Sequence, residues 1–93
     1  MHVVVQHRIL DREKFASADA GAIMEGAPAG ARGQQFFPAQ DGSNAVCLWE
    51  SDSIESLKGY LDVATAGVAE NAYFVVDDER AMGLPESAAA GAT

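Results

Sequence analysis

AVCLWESDSIESLKGYLDVATAGV (Ala45–Val68) joins a strand to a helix, and its reading decides the fold. Ala45 to Glu50 carries apolar and aromatic residues with no breaker, which reads as a strand. Asp52 or Ser53 can cap the helix that follows, and Asp52 with Glu55 has the spacing of a capping box. Ile54, Leu57, Leu61, Ala64 and Val68 fall on one helical stripe, and Gly67 marks the end.

Upstream, Asp41-Gly42-Ser43-Asn44 is a turn signal that joins this strand to a shorter one, Gly33 to Pro38, as a hairpin. Pro38 cannot donate to a ladder, which puts its strand at a sheet edge. Nearer the start, His2 to Leu10 reads as a strand on the strength of Val3, Val4 and Val5. Asp11 and Glu13 then open a helix. Phe15, Ala18, Ala22 and Ile23 recur along it at helical spacing, and Gly26 and Pro28 close it. Downstream, Asn71 to Val76 is a fourth strand. Ser87 to Thr93 holds only alanine, glycine and small polar residues and is expected to be a mobile tail beyond one domain over 1–86.

Composition narrows the function classes. A chain of 93 residues suits one domain. No run approaches the roughly 20 apolar residues of a membrane helix, and Met1-His2-Val3 lacks the basic and apolar regions of a signal peptide. A single cysteine excludes an internal disulfide framework and fits a cytoplasmic setting. A formal charge of −8 with six Lys and Arg argues against nucleic acid, whose binders supply phosphate-neutralising cations.

The order β-α-β-β-α-β is the split βαβ, an α+β ferredoxin-like arrangement. Its four-stranded antiparallel sheet runs 4-1-3-2 with both helices on one face. The first strand then lies between the third and fourth, so Val5 pairs with Cys47 and Tyr73, and His7 with Ala45 and Asn71. Odd positions share one face: Val3, Val5, His7, Cys47, Trp49, Asn71, Tyr73 and Val75. Even positions Val4, Val46, Leu48, Phe74 and Val76 are expected to form the underside for the helices, with Gln6 in need of a partner. The odd face would then be uncovered, and an apolar patch of that size marks an interface. A homodimer packing two sheets face to face is the expected solution.

The run Ala45-Val46-Cys47-Leu48-Trp49-Glu50 before a capped helix resembles the dimeric α+β-barrel proteins of ferredoxin-like fold. It is most similar to a bacterial family that includes small nickel-binding proteins. The resemblance follows the element order from Met1 to Val76 and implies nickel or another divalent transition metal as a cofactor, without assigning ligands. The wider superfamily also holds cofactor-free monooxygenases, isomerases and ligand-sensing modules, so the fold alone selects no function.

His7, on a central strand, is the leading functional candidate, because imidazole suits proton transfer or metal ligation. Its structural alternative is a hydrogen-bonded histidine within an interface. His2 has the opposite parity and cannot share its site. Cys47 is the second metal candidate, since thiolate and imidazole together suit zinc, nickel or copper. It also reads as a small buried hydrophobe, because a reactive thiol calls for an electropositive setting. Trp49 and Tyr73 can line an apolar pocket and offer N–H and O–H groups, and Asn71 joins them as a ligand-binding candidate. Gln6, Arg8, Gln35 and Glu50 read as solvated or capping groups. No nucleophile elbow, P-loop or dinucleotide fingerprint is present.

Three functions compete: a dimer holding a transition metal or small apolar ligand between its sheets, a cofactor-free monooxygenase or isomerase, and an interaction module with no small-molecule site. An open cavity or a filled core beside His7 discriminates among them.

Overall fold

A computed structural model describes residues 1–85 of the chain. The expected mobile tail at 87–93 lies outside the described residues. Seven elements follow one another: β1 (His2–Ile9), α1 (Arg12–Ser17), α2 (Ala20–Glu25), β2 (Ala31–Pro38), β3 (Asn44–Ser51), α3 (Ile54–Ala64) and β4 (Ala69–Val75). The strands form one antiparallel sheet in the order β2-β3-β1-β4, an α+β arrangement compatible with a ferredoxin-like fold. Among the described residues no helix is long and apolar enough to cross a membrane.

The expected pairings hold. Val3, Val5 and His7 of β1 face Trp49, Cys47 and Ala45 of β3, while Val5 and His7 face Tyr73 and Asn71 of β4. Strand β2 is an edge that ends at Pro38, with an irregularity between Gly33 and Gln35.

Local chemistry adjusts the helices. The single first helix becomes two, because Asp19 starts a new one: its carboxylate accepts from Ala22 N, and Ala18 just before it is extended. An aspartate stabilises an N-cap and disfavours a helix interior, so it breaks an alanine-rich segment that has no strong apolar stripe of its own. Ser53 rather than Asp52 caps α3, accepting from Ser56 N. The helix stops at Ala64, with Thr65 as its C-cap, and Gly67 takes the left-handed conformation (φ +75°) in the turn to β4.

The face assignment is corrected. The helices cover the odd face. Val3, Val5, Cys47 and Trp49 cluster with Leu57 and Leu61 of α3, and Ile23 and Met24 of α2 pack against them. A reason lies in the polar interruptions along the other face. Gln6 and Arg8 on β1 and Glu70 on β4 occupy even positions, and the exposed Arg8 guanidinium meets Glu70 at 3.1 Å. Burying these groups beneath helices would cost far more than leaving them wet. The even face is therefore the one without helices: Phe37 is 60%, Phe74 49% and Val46 36% exposed there, while Leu48 and His2 on the same face are buried, His2 against Asp78. The interface patch expected on Val3, Val5 and Trp49 is instead the chain's own core.

Candidate functional site

A cavity of about 380 Å³ lies between the helices and the odd face of the sheet. Phe15, Ile23, Phe36 and Leu61 contribute apolar walls, while the exposed Arg12, Ala16, Ala18 and Ala64 lie at its rim. The small side chains of Ala16, Ala18, Ala20 and Ala64 line the cavity and fill little of the space over a sheet bearing Trp49. His7, Cys47 and Trp49 all border it.

These three side chains sit at alternate positions of adjacent strands, so the pleat aims them at one place. His7 Nε2 lies 2.9 Å from Cys47 Sγ, and His7 Nδ1 lies 2.6 Å from Asn71 Oδ1. Asn71 Nδ2 donates to Thr65 Oγ1 at 2.8 Å and to Asp62 Oδ1 at 3.1 Å. Tyr73 donates its O–H to the same Asp62 oxygen at 2.6 Å.

The Asp62 end of this chain fixes the other end. A carboxylate only accepts, so the Asn71 group facing Asp62 is its NH₂, and its carbonyl oxygen faces His7. That oxygen also only accepts, so His7 carries its proton on Nδ1. The Nε2 lone pair is left to receive the Cys47 S–H.

Burial sets the resting charges. It lowers the His7 pKa, partly opposed by the hydrogen bond to Asn71. Burial also pushes the Cys47 thiol up to about 11, partly opposed by the neighbouring Trp49. The pair thus rests as neutral thiol and neutral imidazole near pH 7. Tyr73 is raised by burial and by its bond to Asp62, while the same bond lowers the exposed Asp62 carboxyl. The indole Nε1 of Trp49 is buried and has no hydrogen-bond partner among the described residues. It lies near enough to Cys47 to favour the thiolate without reaching hydrogen-bond geometry.

Of the ligand candidates, His7 and Trp49 border the cavity, whereas Asn71 stands behind His7 and holds it, and Tyr73 contacts Asn71 and Asp62 behind that. His2 is apart, its Nδ1 lying 3.1 Å from the Asp78 carboxylate. Thr65, Asp62 and the alanine rim escaped the sequence reading. Asp62 and Thr65 at i and i+3 on one flank of the helix end were the available signal. The metal candidates His7 and Cys47 are adjacent, but among the described residues no group of three His, Cys, Asp or Glu side chains could hold a metal ion. Two donors leave half or more of a nickel or zinc shell unfilled, so this residue set does not fit such an ion.

Comparison with protein-family models, curated proteins and solved structures finds no match to this chain.

Proposed function

We propose that this chain binds a small apolar molecule in the space between its helices and sheet, with His7 and Trp49 as its polar contacts. The observation that carries this reading is the roughly 380 Å³ cavity, lined mostly by apolar side chains, with His7, Cys47, Thr65 and Trp49 in its wall and Arg12 at its rim. Ligand sites are typically concave, mostly apolar and furnished with a few convergent polar groups. The ligand site thus moves from the space between two sheets to the interior of one chain.

Trp49 is the sole tryptophan and reports on the site directly. Titration with 1-naphthol or indane should change Trp49 fluorescence saturably in the wild type. Ala64→Phe, which fills the exposed rim, should abolish the change. A linear, non-saturating response in both proteins would remove the proposal.

A second copy of the chain is proposed to cover the open even face. Phe37, Val46 and Phe74 expose apolar surface there, and a two-fold pairing of sheets covers it on both copies at once. Sedimentation of wild type and Phe74→Glu tests this: a dimer that becomes a monomer supports it, and a wild-type monomer at high concentration removes it.

A further inference from the structure

The cavity ends on more than a binding surface. We propose that Cys47 is a nucleophile activated by His7, and that the chain transfers or hydrolyses the acyl group of a small apolar ester bound in the cavity. The inference rests on the cavity being a ligand site and adds a reaction to it.

Three observations converge. First, the Cys47 Sγ to His7 Nε2 contact of 2.9 Å joins a nucleophile to a base, and the Nδ1 contact of 2.6 Å to Asn71 orients that base. Unrelated hydrolases use the same thiol–imidazole–amide order, which is recognised by geometry and roles. Second, the pair borders an apolar cavity with an exposed rim, so a substrate has a route to the sulfur. Third, Trp49 is 1% exposed, and its Nε1–H lies near enough to the thiol to favour its ionised form, with no hydrogen-bond partner among the described residues. An unpaired buried donor carries a desolvation cost, and an oxygen of a bound molecule would remove it. A donor next to the attacking sulfur is placed to receive the oxyanion that forms there.

The step balances without a metal or a redox partner. Cys47 Sγ attacks the carbonyl carbon as its proton passes to His7 Nε2. The carbonyl oxygen, now negative, accepts from Trp49 Nε1–H. The carbon–oxygen bond to the leaving group breaks, and the departing alkoxide takes the proton from His7. Water then attacks the thioester, giving its proton to His7. The acid departs, and the proton returns to Cys47. A resting thiol that ionises only near pH 11 makes the neighbouring base necessary, because little thiolate exists before the substrate arrives.

The test uses the full chain with p-nitrophenyl butyrate, and butyrophenone as a non-hydrolysable stand-in. The expected result is a burst of nitrophenol and a butyryl adduct on Cys47 in the intact mass. Cys47→Ala should lose the adduct while keeping the Trp49 response to butyrophenone. His7→Ala should slow acylation about 100-fold or more. Trp49→Phe keeps an aromatic ring in the core and should slow it about 100-fold through loss of the N–H. Asn71→Ala should shift the His7 tautomer in ¹⁵N spectra and slow acylation without loss of probe binding. Butyrophenone binding with no adduct at Cys47 would overturn the nucleophile and leave the ligand site standing. Absence of both binding and adduct would overturn the two together.

Discussion

Asn71→Ala should cost this chain far more than a typical substitution at a half-buried strand position. The amide makes contacts at 2.6 Å to His7, 2.8 Å to Thr65 and 3.1 Å to Asp62. Two of these losses are softened. Thr65 keeps its own donation to Leu61 O at 2.8 Å, and Asp62 is exposed and keeps Tyr73. The loss therefore concentrates on His7, which is only 4% exposed and whose Nδ1–H is left with no acceptor. An orphaned buried donor costs about 1–3 kcal/mol. Divided by a urea slope of about 1–2 kcal/mol per molar for a chain this small, a central value near 2 kcal/mol moves the midpoint down by roughly 1–2 M. Urea denaturation followed by Trp49 fluorescence measures the shift, and an unchanged slope confirms that only stability moved. Long-range ¹H–¹⁵N correlation should find His7 protonated on Nδ1 in the wild type and a mixture in the variant. A midpoint cost below about 0.5 kcal/mol, the range of ordinary surface changes, would refute the reasoning. So would a wild-type His7 protonated on Nε2.

Other consequences follow from the burial of His7 and Cys47, from the core and from the helix caps. His7 has a lowered folded pKa, so the unfolded chain binds the extra proton first as pH falls. Its stabilising contribution is present above the unfolded value of 6.5 and is lost as pH drops toward the folded value, with a limiting slope of about 1.4 kcal/mol per pH unit. His7→Gln should flatten the urea-midpoint profile below pH 6.5, and an unchanged profile would count against a buried neutral imidazole. Alkylation of native Cys47 by iodoacetamide should keep accelerating up to about pH 11, whereas a plateau near pH 8 would contradict the buried thiol. Leu57→Ala removes a side chain that is 0% exposed and should cost about 2–5 kcal/mol in urea denaturation, with Ile54→Ala costing less because Ile54 is only partly buried. Asp19→Ala should cost about 0.5–2 kcal/mol through loss of the α2 cap, readable as a fall in melting temperature.

Much of the sheet was legible in the sequence, because its signals are local. The β-branched run at Val3–Val5, the turn at Asp41–Asn44 and Pro38 at an edge each stand on the chemistry of a few residues. Period-two parity alone puts His7, Cys47 and Trp49 together on one face, and the strand pairing agrees. The side of the sheet chosen by the helices was not legible from strand parity, because both faces carry apolar residues. Charges settled it: Arg8 and Glu70 can stay hydrated on the open face, whereas the odd face keeps Trp49 for the core. The break at Asp19 was missed because Phe15, Ala18, Ala22 and Ile23 keep helical spacing across it, while the cap that interrupts them is one carboxylate. The cavity was illegible for a related reason. Alanine at 16, 18, 20 and 64 counts as apolar in any pattern yet fills little space, and only packing reveals what it leaves open.

The central claim is that a small apolar molecule sits against His7 inside one chain. Titration of ¹³C- and ¹⁵N-labelled protein with indane, followed by methyl, phenyl-ring and imidazole resonances, tests it most directly. Saturable shifts should fall on Ile23, Leu61, Ala64 and the His7 ring. Shifts confined to Val46, Phe37 and Phe74 on the open face, or none that saturate, would contradict it.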